Sequence, residues 1–277
     1  MPSILVADDD RILRTFLRTL LRKHKYSVDT AADGQAALRM AKKKKYDLLL
    51  LDMWMPRING FEVLAMLRQQ PAPPRVVVIT SDQTPQTMLR TVREQAYRYV
   101  TKPVDPQNLL EIVEDALVER PQSPPIEVLS ASDTWVELLV PCDLDCARRI
   151  GYFLDQLKTG IADDVREEVG QAFRELLTNA VEWGGKLDPN RKVRIAFLHG
   201  KRMLLYRIAD PGPGFKIEGL THAAIGHGGG EDPLAHMEER EKKGLRPGGL
   251  GIFMTKALVD ELLYNEARNE VVLIKYL

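Results

Sequence analysis

From residue 3 to about 119, short apolar runs rich in branched side chains alternate with segments in which apolar positions recur every three or four residues. The runs at 4–7, 27–30, 48–51, 76–80 and 97–100 predict strands, and the periodic segments at 11–23, 34–44, 60–69, 85–95 and 106–119 predict helices. Runs 48–51 and 76–79 are apolar at every position instead of alternating. Strands covered by helices on both faces read this way, so the first half predicts a doubly wound, parallel, five-stranded α/β domain.

Pro121, Pro124 and Pro125 break this rhythm, and proline continues neither a helix nor a central strand. The breaks predict a domain over 1–120, a linker over 121–133 and a second domain over 134–277. In the second domain 135–140 reads as a strand, 144–157 and 164–183 as helices, and 193–197 with 204–208 as a hairpin turning at His199-Gly200-Lys201. A helix at 250–262 and a strand at 271–276 follow a glycine-rich stretch. Long helices beside antiparallel strands predict a two-layer α/β sandwich.

Composition narrows the partners. The 277 residues carry 39 Lys plus Arg against 39 Asp plus Glu, so no net field draws in nucleic acid or an anionic membrane surface. Residues 1–10 lack a basic, apolar and small-residue leader, and no run reaches the roughly 20 apolar residues of a membrane helix. A cytoplasmic protein is the expectation. Cys142 and Cys146 have no further ligands nearby in sequence, so they read as free thiols in a reducing compartment. The lysines at 42–45 complement a helix C-terminus rather than forming a nucleic-acid patch.

In a doubly wound sheet the carboxyl ends of the strands converge on one crevice. Asp8 and Asp9 follow the first strand, Asp52 ends the third, Thr80 ends the fourth and Lys102 follows the fifth. Such crowded carboxylates repel one another unless a cation sits among them, and oxygen-only donors favour Mg²⁺. Singly these residues read as helix caps or an ion pair; together they suit phosphoryl transfer onto Asp52, with Lys102 and the Thr80 hydroxyl holding phosphoryl oxygens.

The stretches ILVADDD, LLLLDMWMPRINGFE, VVVITS and YVTKP resemble the receiver domain of two-component response regulators over 3–119. The resemblance implies that Asp52 is the phosphoacceptor and that Asp8, Asp9, Asp52 and the Trp54 carbonyl hold Mg²⁺. It also implies that Thr80 and Lys102 contact the phosphoryl group and that Tyr99 is an aromatic switch residue. The phosphodonor it implies is an upstream histidine kinase or phosphotransfer protein.

In the second half Glu175 and Asn179 stand four apart on one predicted helix and so share a face. A strand runs into Asp210-Pro211-Gly212-Pro213-Gly214, where glycines permit close approach to a flat ligand. Gly248-Gly249-Leu250-Gly251 opens a helix, whose free N–H groups favour phosphate.

RELLTNAVEWGG, DPGPGF and RPGGLGIFMTKALVDEL, in that order, resemble the three motifs of the Bergerat-fold ATPases, which include histidine kinases, gyrase, Hsp90 and MutL. The resemblance implies ATP as the nucleotide, with Asp210 on the adenine amino group and Gly212 and Gly214 shaping the purine pocket. It places Mg²⁺ on Asn179, Gly249 and Gly251 against the phosphates, and an ATP lid at 216–247 that contains His222, His227 and His236.

Gyrase, Hsp90 and MutL relatives need a following domain, and the sequence ends at Leu277. None of the five histidines fits a phosphoaccepting helix ahead of the ATP domain. The layout resembles the compact anti-sigma-factor serine kinases. That likeness implies that Glu175 activates a serine or threonine of an antagonist protein, and that the chain can form a homodimer. Trp183-Gly184 stands where the family often has His-Gly, and the lid is long. Two rival readings remain: ATP-dependent sequestration of a sigma factor or antagonist without catalysis, and docking onto another protein's phosphohistidine helix as an atypical phosphorelay component.

Overall fold

Five parallel strands, β1 (Ser3–Ala7), β2 (Ser27–Ala31), β3 (Leu48–Asp52), β4 (Arg75–Thr80) and β5 (Arg98–Thr101), lie in the order β2-β1-β3-β4-β5. Between and after them run α1 (Arg11–Lys23), α2 (Gly34–Lys43), α3 (Gly60–Arg68), α4 (Pro85–Arg93) and α5 (Pro106–Leu117). This is a computed structural model describing residues 1–82, 84–118, 124–157, 160–214 and 251–277. The chain divides into two units, Met1–Gln122 and Ser123–Leu277.

The all-apolar strands of the first unit are buried on both faces. Ile4, Val6, Leu48, Leu50, Val77 and Ile79 pack with Leu17 and Leu21 of α1 and Leu109 and Val113 of α5. The alternate residues Leu5, Leu49, Leu51 and Val78 face the other way and are buried as well. Helix starts are fixed just beyond the strand ends by side-chain caps: Asp10, Asp33, Asn59, Thr84 and Asp105 each accept from a first-turn N–H. Short, capped connections leave the carboxyl edge of the sheet open to carry chemistry.

The second unit is a six-stranded antiparallel sheet among the described residues, in the order β10-β11-β9-β8-β7-β6. Its strands are β6 (Glu127–Ala131), β7 (Trp135–Pro141), β8 (Lys192–His199), β9 (Met203–Ala209), β10 (Glu261–Tyr264) and β11 (Glu270–Tyr276). The helices are α6 (Leu144–Gln156), α7 (Asp163–Asn179) and α8 (Gly251–Leu258). One face of the sheet is buried across β7, β8, β9 and β11: Val136, Leu138, Ile195, Phe197, Leu204, Tyr206, Ile208 and Leu273. There Phe173 of α7 stacks on Tyr206, which stacks on Phe197, with ring centroids 4.7 Å apart in both pairs. The two-layer α/β sandwich read from the sequence is present.

Three local differences have physical causes. Strand β6 lies inside the stretch 121–133 assigned to linker; only alternate residues of this edge strand are half-buried, so it has no apolar run to announce it. The helix expected to reach 262 ends at Leu258, because β11 captures the chain beyond it. The Asp260 N–H donates to Ile274, Asp260 Oδ2 accepts from the Tyr276 N–H, and residues 261–264 pair as β10. The helix expected over 164–183 is α-helical only to Asn179 and then widens into a π-helical turn, Ala180–Gly184, in which the Gly185 N–H donates to Ala180 at 2.8 Å. No helix among the described residues is long and apolar enough to cross a membrane.

Both cysteines are buried, and burial pushes Cys142 up to about 11 and Cys146 up to about 12. In the native protein at about pH 8 neither thiol should react at an appreciable rate with dithionitrobenzoate, whereas both titrate at once in denaturant. Rapid reaction of either before unfolding contradicts this burial. Phe173→Ala removes the ring that joins α7 to the sheet, and should lower stability by about 3–5 kcal/mol in urea unfolding of the full chain. A loss under about 1 kcal/mol would show that the stack is not a major anchor.

Candidate functional site

Strand register assembles the acidic site of the first unit. Ala7 lies opposite Leu51, Asp52 opposite Ile79, and Thr80 opposite Thr101. Asp8, Asp52, Thr80 and Lys102 therefore emerge side by side at one edge of the sheet. The Lys102 N–H donates to the Thr80 carbonyl at 2.9 Å, and its ammonium Nζ lies 2.9 Å from Asp8 Oδ2 and 3.2 Å from Asp52 Oδ2. Asp8 and Asp52 are only 2% and 3% exposed, whereas Asp9 faces solvent.

One carboxylate oxygen from each of Asp8, Asp9 and Asp52 lies within 4.8 Å of the other two. Three hard oxygen donors at this spacing fit Mg²⁺, and the exposed Asp9 leaves the site open to an ion from solvent. The turn carrying Asp8 is held twice: its Oδ1 accepts from the Asp10 N–H at 2.8 Å, and its carbonyl accepts from the Arg14 guanidinium at 2.6 Å. The loop after Asp52 closes back on it, with the Gly60 N–H donating to Met53 at 3.0 Å. A Cβ on Gly60 would sit 2.5 Å from the Asp52 carbonyl, so only glycine fits there.

Burial, then the charge of Asp8, pushes the Asp52 carboxyl up from its usual range; Lys102 and the Trp54 backbone offset part of that. Burial opposes the Lys102 charge, but its hydrogen bond to Asp8 and the charges of Asp52 and Asp8 outweigh this and hold the ammonium above its usual value. Lys102 thus stays a cation among carboxylates. Thr80 is fully buried and its hydroxyl accepts from the Asp82 N–H at 3.2 Å. The Trp54 side chain is exposed. Tyr99 lies in β5 with its hydroxyl buried and without a hydrogen-bond partner among the described residues; burial, then Asp82, raises its pKa.

In the second unit α7 turns its buried face, Val169, Ala172, Phe173, Leu176 and Leu177, toward the sheet. Glu175 and Asn179 fall between these positions and are half-buried. The π-helical turn after Asn179 brings Gly184 against Asp210. A Cβ on Gly184 would lie 2.1 Å from Asp210 Oδ1, and one on Gly212 would lie 2.7 Å from the same atom. Asp210 Oδ1 accepts from the Gly212 N–H at 2.7 Å, which leaves the second oxygen to accept from a ligand. Burial raises the Asp210 carboxyl, with the Gly212 N–H and then Arg191 opposing.

The turn that carries Asp210 is clamped from outside. Asn269 donates to the Gly212 carbonyl at 3.0 Å and its own carbonyl accepts from the Asp210 N–H at 2.8 Å, while Arg191 donates to the Pro211 carbonyl. Gly214 has φ +83°, and a Cβ there would overlap the Ala267 carbonyl. A half-buried carboxylate facing a wall without side chains suits a flat, amino-bearing base.

The structure brings together Asp8, Asp9, Asp52 and Lys102, with Thr80 alongside, and separately joins Asp210 with Gly212. Gly251 opens α8, while Gly249 and the expected lid over 216–247 with its histidines lie outside the described residues. Sequence reading missed the role of Gly184 against Asp210, of Gly185 against Cys142, and of Arg191 and Asn269 as clamps. The one available signal was the glycine pair itself, ending a helical pattern where close backbone approach was needed.

Residues 4–114 match the response regulator receiver domain and residues 140–275 the histidine kinase-like ATPase domain. Response regulator ArlR of Staphylococcus aureus is 35% identical over 128 residues, which cover 46% of this chain and 58% of that protein, so the match spans little more than half of the relative. Among solved structures, chemotaxis protein CheY4 of Vibrio cholerae is 29% identical, covering 42% of this chain and 99% of that one at a TM-score of 0.41. Response regulator TrrA of Thermotoga maritima, solved in complex with Mg²⁺ and BeF, is 32% identical over 42% of this chain and 100% of that one, at a TM-score of 0.39. In one polypeptide, this chain joins a response regulator receiver domain to a histidine kinase-like ATPase domain.

Proposed function

We propose that the chain is a response regulator in which phosphorylation of Asp52 controls an ATP-binding output domain acting as a serine/threonine protein kinase of the anti-sigma type. The observation that carries the first step is the Lys102 ammonium lying 2.9 Å from Asp8 and 3.2 Å from Asp52 in a buried acidic edge. An Asp52 oxygen attacks the phosphorus of a phosphohistidine on an upstream histidine kinase or phosphotransfer protein; the P–O bond forms as the P–N bond breaks. Lys102 then exchanges part of its contact with Asp52 for a phosphoryl oxygen, and the Thr80 hydroxyl donates to another. Asp8, Asp9, Asp52 and the Trp54 carbonyl would hold Mg²⁺, which when bound neutralises the phosphoryl oxygens.

In the output domain Asp210 accepts from the adenine amino group while Gly184, Gly212 and Gly214 keep the pocket free of side chains. Asn179 would hold the Mg²⁺ of ATP, and Gly249 and Gly251 would lie against its phosphates. Glu175, one helical turn before Asn179, takes the proton from a serine or threonine hydroxyl of a protein antagonist or sigma-type partner as that oxygen attacks the γ-phosphorus and ADP leaves. Phosphorylated Asp52 biases a receiver equilibrium that involves Tyr99, whose buried hydroxyl, without a hydrogen-bond partner among the described residues, gives it an energetic reason to move. In this reading the protein works in the cytoplasm, with neither nucleic acid nor membrane as a direct partner, and is able to form a homodimer. Sequestration without phosphate transfer, or service in a phosphorelay, is the outcome if no partner hydroxyl is labelled.

Acetyl phosphate with Mg²⁺ should label the chain, and Asp52→Asn should abolish the label; retained label excludes Asp52 as acceptor. Labelled ATP should place stable phosphate on a partner serine or threonine, and Glu175→Gln should reduce that rate by about 10²–10⁴-fold without weakening ATP binding. Partner binding without label supports sequestration, and acid-labile label supports a phosphorelay.

Nucleotide affinity should also depend on pH. Only the ionised Asp210 accepts on both oxygens, and burial raises its pKa. On acidification the carboxylate is therefore lost at a higher pH than an exposed aspartate would be, and calorimetric affinity for ATP should fall over that window in the wild type. Asp210→Ala should abolish nucleotide binding while leaving acetyl phosphate labelling of Asp52 intact; loss of both contradicts two independent sites.

A further inference from the structure

The loop between β3 and α3, residues 53–59, carries Trp54, and nothing in its apolar pattern explains how it keeps one shape. It is fixed at one end by the Gly60 N–H on Met53 and by the fit of Gly60 against the Asp52 carbonyl. The other fixing point is remote in sequence. Arg57, in left-handed backbone at φ 72°, donates its guanidinium to Asp33 Oδ2.

Asp33 is unusual in serving two elements. Its Oδ1 caps α2 through the Ala36 N–H at 2.7 Å, and its Oδ2 receives Arg57. The Asp33 side chain is 8% exposed while that of Arg57 is 63% exposed, so the arginine reaches in from solvent to a nearly buried acid. The Ala36 N–H, and then Arg57 and Arg39, hold the Asp33 carboxyl below its usual range against the opposing effect of burial. Next to this pair, a Cβ on Gly34 would lie 2.2 Å from the Ile58 carbonyl. The first residue of α2 and the end of the loop, next to Arg57, are thus in direct contact.

A left-handed arginine is strained, and such a conformation persists only when its surroundings over-determine it. Among the described residues neither Arg57 nor Asp33 is hydrogen-bonded or ion-paired to Asp8, Asp9 or Asp52. Resting on the receiver reading above, we propose that the Arg57–Asp33 pair is a positioning device: it clamps the loop from outside so that the Trp54 carbonyl is pre-aimed at the Mg²⁺ held by Asp8, Asp9 and Asp52. Partners that orient a ligand without touching the ion tune affinity by restricting the ligand's freedom.

The test uses the full chain and Mg²⁺ alone, followed by tryptophan fluorescence with Trp54 as reporter, and then acetyl phosphate labelling across Mg²⁺ concentrations. Arg57→Gln removes the cation. Asp33→Asn keeps a competent cap for α2 but removes the charge. Because the arginine is largely exposed, each variant should weaken Mg²⁺ binding by a modest factor, about fivefold, with Arg57→Lys close to wild type.

The double variant should be no weaker than either single one, since both remove the same contact. In labelling, the apparent Mg²⁺ constant should rise while the rate at saturating Mg²⁺ stays unchanged, a split that general loss of structure would not produce. Mg²⁺ affinity within about twofold of wild type in both variants, or additive losses, overturns the clamp. A wild-type chain that shows no Mg²⁺ response and no labelling overturns the receiver reading as well as the clamp, and is thereby distinguished from failure of the clamp alone.

Discussion

The interaction on which the first half of the protein depends is one ammonium between two buried carboxylates. Asp8 and Asp52 leave adjacent strands almost without solvent, and two such charges cannot be buried together without a cation. Lys102 supplies it from the far side of β4, held in place by its own backbone bond to Thr80. Removing one member of a buried pair typically costs about 3–5 kcal/mol, so the contact is structural as well as chemical. It is also incomplete: one lysine balances one of the charges on Asp8, Asp9 and Asp52, and the remaining negative potential is an inducement for a divalent ion.

The second unit solves the opposite problem. Its carboxylate, Asp210, forms no ion pair with a lysine among the described residues; it is held by the Gly212 N–H and walled by glycines, and burial raises its pKa. Each hydrogen bond donated to such a carboxylate favours its charged form, as the Gly212 N–H does here, and the exocyclic amine of the proposed nucleotide would add another. The π-helical turn makes this wall possible, because an extra residue between Asn179 and Gly185 lets Gly184 reach Asp210 while α7 keeps Phe173 on Tyr206. Packing of the α7 helix and shaping of the pocket are therefore consequences of the same helix.

Much of this was legible in the sequence, for physical reasons. Runs such as 48–51 are apolar at every position because helices cover both faces, and this same burial fixes the sheet that aligns Asp8, Asp52, Thr80 and Lys102. The hairpin of β8 and β9 was visible because one face alternates cleanly. Strand β6 was hidden because an edge strand buries too little to leave a pattern, and β10 because Leu262 and Leu263 fit a helix or a strand equally well until β11 captures the chain. The clamps were illegible for another reason. Arg57 and Asp33, or Arg191 and Pro211, are far apart in sequence and carry side chains common on any surface; only the folded geometry pairs them.

In the proposed function one chain couples these two sites, so that the state of Asp52 is felt at Asp210. The most direct measurement is the ATP dissociation constant of the full-length protein by calorimetry in Mg²⁺, with and without saturating beryllofluoride at Asp52. Coupling predicts a change of about fivefold or more, with an equal reciprocal effect of ATP on beryllofluoride binding. An unchanged constant, with both ligands demonstrably bound, would contradict the account.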